Sequence, residues 1–582
     1  MARHLAGLGY PLLVHDLNAR AVQSVVERGA GTLASAKAIA SQARLVLTCL
    51  PSLGALQEVV LGHDGLSAGT AVKTYVDFST TGAEFAREMA AALKRRNIMM
   101  LTAPITGNVI TAGNGKLGIM CSGPEAAFRH AQPVMNALAS TIVLYLGEDA
   151  GRAQTLKLLN NLLSATGMAT SCEAFILGVK AGLDPEAMLE IVTATDASSS
   201  ATRNKFARSV LPRQFDFGSR MAITAKDTSL TVTESEDLGV PMWVGQAVRQ
   251  VWKYAASQGG AERDGTSLIT YLEPWAGIEV RARERTAEQG TATPKVPIAI
   301  TDFTIVCSQR SVPTIAARLR GQGWAVAIVE EDGPRKSSGK VNRICTLVGI
   351  ADDEDAADAA RRLLTTERGH RAIVNACLMA SSSAATLAQQ SRECGYSYVD
   401  ALFTGTRGEL ESGQTGIIAG GPAAVLEAAK PLLNALGSRV FRISETPGAA
   451  HLMAQINASL FATLLAATCE SYVTGAKAGL DPLTMARILG IETGRNAASA
   501  HIIPEQVATR KFNYGKTIRE IVRALTLLSD EARERGVTTW ILDKTRLLYG
   551  LAAHLGAPND DVTRLITHYE KWSNTEVRAP AA

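Results

Sequence analysis

Lys157 lies in LKLLNNLLSATGMATSCEAFILGVKAG (156 to 182), a long stretch with helical spacing and little charge. A lysine held out of water there would lose its proton more easily, moving from about 10.4 toward neutral pH, where one group can both take and return a proton. Asn161, one turn further on, shares the helix face of Lys157 and can hold the same oxygen atom. Thr106, Gly107 and Asn108, in a turn after an apolar run, can offer a hydroxyl and backbone N–H groups to a carboxylate. Asp16 closes the run YPLLVHD (10 to 16). At the end of the second strand of a dinucleotide-binding unit, an acidic residue accepts hydrogen bonds from ribose hydroxyls and repels a 2′-phosphate. Ser199, inside the run Ser198 to Ser200, reads as a helix start facing a ligand. Each residue also has a plainer reading: a solvated lysine, an ordinary strand-to-loop turn, a strand-end cap, a serine cap.

The elements that must position these residues occur twice. CEAFILGVKAGLDPEAM (172 to 188) and CESYVTGAKAGLDPLTM (469 to 485) are identical at 10 of 17 positions with an offset of 297, and the register extends through Gly218 and Gly515 to Asp264 and Asp561. A period of that length means two complete copies of a multi-domain unit. Within each copy, short apolar runs such as ARLVLTCLP (43 to 51) and VKTYVDFST (72 to 80) read as strands of a parallel sheet covered by helices on both faces. The strand signals then stop and a long buried helix begins, closing at Gly182 and restarting after Asp184-Pro185. The expected fold class is therefore an α/β Rossmann-like parallel sheet domain plus an all-α helical domain, the pair repeated in tandem. The expected boundaries are 1–148 and 149–284, a polar joint at 285–297, then 298–445 and 446–582.

Composition narrows the function classes. The 582 residues are 46% hydrophobic and 20% charged, with a net charge of +4, so several cores are affordable and a nucleic-acid or membrane surface has no electrostatic footprint. Eight cysteines without a C-x-x-C or a tight Cys/His spacing suit reduced thiols, with no metal site. No window of about 18 apolar residues is evident and the N-terminus lacks a signal-peptide layout, so a cytoplasmic protein is expected.

The motifs, taken in order, resemble the NAD(P)-dependent β-hydroxyacid dehydrogenases typified by 3-hydroxyisobutyrate dehydrogenase and related to 6-phosphogluconate dehydrogenase. The resemblance rests on Met1, Ala2, Leu5 and Gly9 of the opening helix, Leu50-Pro51, Asp77-Phe78-Ser79-Thr80, the turn Ala103 to Asn108, Lys157 with Asn160 and Asn161, and Lys226-Asp227. It implies a hydride exchanged between a nicotinamide and a small 3-hydroxy acid or sugar acid, with Lys157 as general acid/base beside Asn161. It further implies substrate contacts at Thr106, Gly107, Asn108 and Ser199, and cofactor contacts at Asp16, Leu50, Pro51, Ser79, Thr80, Lys226 and Asp227. Asp16 favours NAD over NADP. Asn108 stands where the family's turn has its second glycine and adds bulk there, and Lys226-Asp227 also reads as an exposed surface pair.

Relative to that family, the strand and G-x-G-x-x-G loop that precede the opening helix are missing before Met1, so weak dinucleotide binding by this chain is expected. The second copy keeps the strand TDFTIVC (301 to 307) but follows it with Ser308 to Val312, where no fingerprint glycine stands. Ala454, Ala458, Arg523 and Ala524 replace Lys157, Asn161, Lys226 and Asp227. Two readings follow: an oxidoreductase whose first copy does the chemistry, or a pseudoenzyme, a paired scaffold that binds a metabolite or partner protein. The duplication suggests a pseudo-dimer within one chain, with homo-oligomers as the alternative; no nucleic-acid or membrane partner is expected.

Overall fold

The structure, a computed structural model, describes residues 1–283, 302–330, 333–334, 344–350 and 372–580; the joint expected at 285–297 lies outside the described residues. In the first copy, β1 (Leu13–Val14) and β2 (Gly31–Thr32) form a parallel pair. β3 (Leu45–Thr48), β4 (Thr74–Asp77) and β5 (Met99–Thr102) form a parallel sheet, and β6 (Ile105–Thr106) runs antiparallel to β7 (Gly118–Cys121), itself parallel to β8 (Ile142–Tyr145). The central strands β4 and β7 are buried along their whole length, so neither shows the in-out alternation of a half-exposed strand, and Thr74 and Asp77 of β4 are buried polar residues.

In the second copy the corresponding strands join one eight-stranded sheet. They are β9 (Asp302–Ser308), β10 (Ala325–Glu330), β11 (Gly333–Pro334), β12 (Ile344–Ile350), β13 (Ala372–Asn375), β14 (Ser397–Phe403), β15 (Gly416–Gly420) and β16 (Arg439–Ser444), in the order β11-β10-β12-β9-β13-β14-β15-β16. β9 pairs in parallel with both β12 and β13. In the first copy β3 pairs directly with β4, and among the described residues β1 and β2 have no strand partner but each other. The sheets depart from the all-parallel expectation at β6/β7, β10/β11 and β14/β15, which are antiparallel. At two of these places the chain reverses through a short helix, Val109–Gly113 or Arg407–Ser412, a connection too short for a parallel crossover.

The helical parts are organised by two 29-residue helices, Arg152–Lys180 and Ala449–Lys477. Gly182, at φ +89°, ends the first run, and Asp184 caps the next helix by accepting from Glu186 N and Ala187 N, with Pro185 in its first turn. Both long helices are long and apolar enough to cross a bilayer by length and composition, with mean hydropathy of 1.4 and 1.5, which corrects the expectation that no such window exists. Their apolarity has another cause: 89% of each window is buried, because the two helices pack on each other and are covered by their own copies' helices. One continuous apolar core runs through both helical parts. Gly178 and Gly475 sit where the copies approach: a Cβ on either would lie 3.3 Å from Ile456 Cδ1 or Leu159 Cδ1 of the other copy.

A reciprocal polar contact fixes this packing. Glu173, fully enclosed, accepts hydrogen bonds from the N–H groups of Ile541 (3.0 Å) and Leu542 (3.2 Å) at the start of the helix Trp540–Leu555. Glu470 does the same for Val244 (2.8 Å) and Gly245 (2.9 Å) at the start of Trp243–Ala255, and also accepts from Tyr569 OH at 2.9 Å. Each carboxylate thus satisfies the orphan donors of a helix in the opposite copy. Burial nevertheless dominates their protonation, raising Glu173 to about 8 and Glu470 to about 7 against the pull of those N–H groups.

Two outcomes follow for stability. Glu173→Ala leaves buried N–H groups without an acceptor, at about 1–3 kcal/mol each, and lowers the thermal midpoint; Glu173→Gln, which keeps an acceptor oxygen, lowers it less. Because the folded chain retains protons that the unfolded chain has already released, the midpoint falls as pH climbs from the ordinary glutamate range through about 7 and about 8. Differential scanning calorimetry across that range checks both; an equal slope in a Glu173→Gln, Glu470→Gln chain would contradict the assignment.

Candidate functional site

The helix Arg152–Lys180 presents successive polar residues to the sheet domain of its own copy. Gln154 clamps the loop after β4, accepting from Thr81 N at 2.9 Å and donating to Ser79 O at 2.9 Å. Ser79 is held from the other side: its N–H donates to Asp77 Oδ1 (3.0 Å), and its Oγ accepts from Leu50 N (2.9 Å). Leu50-Pro51 and Ser79-Thr80 are therefore brought together as one edge. Asp77, at the end of β4, is pushed up to about 6, chiefly by burial.

Lys157 lies one turn along the same helix and is buried, 9% exposed. Among the described residues its ammonium has no hydrogen-bond or ion-pair partner. Burial lowers its pKa from the ordinary lysine range; Asp227 and Glu492 oppose the shift and Lys226 adds to it. Asn161 donates to Asp227 Oδ2 at 2.7 Å, and Asp227 Oδ1 meets Lys226 Nζ at 3.1 Å. Lys226 also donates to Thr80 O at 2.7 Å. The pair read as ambiguous is thus built into the junction of the two domains: Asp227 is almost fully buried, and Lys226 bridges the helical part to the loop after β4.

The turn Thr106–Asn108 follows β6. Thr106 is buried, its hydroxyl toward Gly118 O at 3.4 Å, and Gly107 has φ +119°, which suits glycine. Asn108 is turned to a different use. Its side chain caps the helix Val109–Gly113, accepting from Ile110 N and Thr111 N at 3.0 Å, while its own N–H donates to Thr111 Oγ1 at 2.7 Å. Asp16 is exposed after β1 and accepts from Asn18 N through Oδ1 at 2.8 Å. Ser199 lies instead at the seam between copies, forming an isolated bridge with Asn496 and bonding to Thr202; its neighbour Ser200 donates to Arg495 O at 2.9 Å.

That seam brings residues into the cleft that the repeat alone did not reveal. Asn160 donates to Thr493 Oγ1 at 2.9 Å and accepts from Gly494 N at 2.9 Å, so a loop of the second copy closes over the first copy's Lys157 helix. A comparable contact crosses the other way: Thr195 of the first copy donates to Asn457 Oδ1 at 2.6 Å. The corresponding place in the second copy holds an ion pair between the copies. Lys516 pairs with Asp196 of the first copy, donates to Thr404 O at 3.3 Å and lies 4.5 Å over the Phe461 ring. Where Gln154 stands in the first copy, His451 is enclosed in a network with Asp400 (2.9 Å), Asn375 (3.1 Å) and Tyr398, which donates to Asp400 at 2.7 Å. The segment after β9 winds into the turn Gln309–Ser311, with Arg310 donating to Asn559 at 2.7 Å.

Residues 1–147 and 301–444 match the family model described as the NAD binding domain of 6-phosphogluconate dehydrogenase, and 151–272 and 448–569 match that of the NAD-binding domain of NADP-dependent 3-hydroxyisobutyrate dehydrogenase. The chain belongs to this dehydrogenase family, with both of its domains present twice. It is 30% identical over 281 residues to 2-(hydroxymethyl)glutarate dehydrogenase of Eubacterium barkeri, covering 48% of this chain and 93% of that protein. It is 31% identical over 285 residues to 3-hydroxyisobutyrate dehydrogenase of Pseudomonas aeruginosa, covering 48% and 94%. A solved structure of 3-hydroxyisobutyrate dehydrogenase from Salmonella typhimurium is 26% identical, covering 46% of this chain and 94% of that one, with a TM-score of 0.42.

Gly494→Ala tests the seam. A Cβ there would sit 2.8 Å from Asn160 O and 2.9 Å from Asn160 Oδ1, and a main-chain oxygen cannot swing aside. The variant is expected to show a lower thermal midpoint and faster hydrogen exchange around Asn160; wild-type exchange there would mean that the loop does not rest on this helix.

Proposed function

We propose that the chain is a nicotinamide-dependent oxidoreductase of small 3-hydroxy acids or sugar acids, with its chemistry in the first copy and Lys157 as the general acid/base. The observation that carries this reading is an enclosed lysine whose ammonium has no hydrogen-bond or ion-pair partner among the described residues, set beside the Asn161–Asp227 pair. The names of the matched relatives, hydroxyacid dehydrogenases, support the substrate class.

The residues of the first copy fit two parts of a nicotinamide dinucleotide and none is assigned to its pyrophosphate, in keeping with the weak binding expected from the sequence. Asp16 has one carboxylate oxygen without a hydrogen bond among the described residues, open to ribose hydroxyls, and the edge Leu50-Pro51 with Ser79-Thr80 is stiffened from both sides by Asp77 and Gln154. When bound, the nicotinamide supplies the hydride acceptor or donor. The chain's own work is to hold the acid and move one proton. Thr106 and the Gly107 backbone receive the carboxylate, Asn161 holds the reacting oxygen with its orientation set by Asp227, and Lys157 takes the hydroxyl proton on oxidation and returns it on reduction. Burial lowers its pKa from the ordinary lysine range, the direction that eases release and return of the proton. For the second copy we infer a non-catalytic role, supported by Ala454 and by the ion pair of Lys516 and Asp196 at the corresponding place.

Lys157→Ala is expected to reduce NAD(P)-linked turnover of a 3-hydroxy acid by about 10²- to 10⁴-fold. Substitutions at Ala454 should leave turnover near the starting level; a larger effect there than at position 157 would refute the assignment.

NAD is the expected cofactor, because Asp16 would meet the 2′-phosphate of NADP with like charge. Asp16→Ser should narrow the ratio of kcat/KM between NAD and NADP. A starting preference for NADP would overturn this reading.

A further inference from the structure

The second copy contributes Glu492 to the first copy's cleft. Glu492 is half-buried, and among the described residues its carboxylate has no hydrogen-bond or ion-pair partner. Its position is fixed by its neighbours: Thr493 and Gly494 both bond to Asn160, and the main chain at Arg495 accepts from Ser200. A Cβ built on Gly118 would lie 2.6 Å from Glu492 Oε1 and would press on Thr106 Oγ1 as well. The carboxylate and the Thr106 hydroxyl therefore share the space above Gly118, while Lys157 feels the charge of Glu492.

We propose that Glu492 determines specificity, by selecting hydroxy acids that carry a hydrogen-bond donor, an ammonium or a second hydroxyl, on the carbon next to the carboxylate. This rests on the functional reading above. With the carboxylate at Thr106 and the reacting hydroxyl at Lys157, the carbon between them presents its remaining substituent to the wall that Glu492 occupies. A methyl group there would strip water from an anionic oxygen and give it no donor in return, whereas an ammonium or hydroxyl would supply one. The charge of Glu492 acts on the carboxylate of every acid in this class, and a zwitterion or a donor-rich acid offsets it with a group from which Glu492 can accept. The second copy thus supplies a substrate-facing wall, which gives its retained fold a use.

Serine, glycerate and 3-hydroxyisobutyrate form a matched series, HOCH2–CH(X)–COO⁻, with X an ammonium, a hydroxyl or a methyl. Isothermal titration of the full chain with each, in the presence of NADH, is expected to show serine or glycerate binding about 10- to 100-fold more tightly than 3-hydroxyisobutyrate, the range of one hydrogen bond to a charged group. Glu492→Ala should erase that preference without lowering the thermal midpoint. Glu492→Gln, which keeps an acceptor oxygen and removes the charge, separates the two donors: a fall in serine affinity with glycerate unchanged identifies an ammonium, and glycerate preferred over serine in both chains identifies a hydroxyl. Preference for 3-hydroxyisobutyrate in the starting chain, or a series unchanged by Glu492→Ala, would overturn the proposal and leave the site reading standing. If none of the three acids binds, or if Lys157→Ala alters none of their affinities, the site reading falls and the proposal with it.

Discussion

The molecule depends on a crossed pair of buried carboxylates. Glu173 and Glu470 each leave a long core helix to receive the first N–H groups of a helix in the other copy. An isolated carboxylate in that setting would be costly, and the N–H groups alone would be orphans; placed together they satisfy one another. Neither half can present its capped helix without the other, so the helical parts share one apolar core and behave as a unit. Because the copies are related by the same offset at Gly178 and Gly475, at Leu159 and Ile456, and at Met188 and Met485, the packing repeats itself across the seam.

Fixing the two long helices against each other also fixes where the loops after the following helices arrive. The segment 491–497 reaches the first copy's Lys157 helix and the segment 194–200 reaches the second copy's counterpart. The same geometry has opposite chemical results. In the second copy the arriving Asp196 finds Lys516 and forms an ion pair over an aromatic ring. In the first copy the arriving residues bond to Asn160 and, among the described residues, leave Lys157 without a hydrogen-bond or ion-pair partner. One duplication has thus produced one ion-paired seam and one walled cleft.

Much of this was legible in the sequence because periodicity and repeats report local structure. The long helices, the stop at Gly182, the Asp184-Pro185 restart and the strand runs all depend on contacts within a few residues or on burial of a whole segment. The repeat even displayed Cys172-Glu173 against Cys469-Glu470, yet a retained glutamate in an apolar run does not disclose that it caps a helix some 370 residues away. Asn108 illustrates a second limit. Its residue type suits both a ligand-facing turn and a helix cap, and only the start of a helix at Val109 selects the cap. Ser199 is similar: a serine run signals a helix start, but the partner across the seam, Asn496, is set by tertiary packing. The long apolar helices show a third limit, since composition alone does not separate a span from a core helix and the difference lies in what covers it.

The asymmetry between the copies follows from what each position must do. Residues that hold the seam, such as the paired glutamates and the two close-approach glycines, appear in both copies because each is used twice, once from either side. Residues whose only work is at a cleft are under no such constraint: Lys157 faces Ala454, Asn161 faces Ala458, and Gln154 faces His451, which is enclosed in its own network. Asn160 and Asn457 are the informative exception. They match across the copies although their neighbours do not, and both are spent on the opposite copy's loop. An asparagine retained beside a lost lysine is therefore better explained by the seam than by chemistry, and the loop it holds is the means by which the altered half still shapes the cleft of the other.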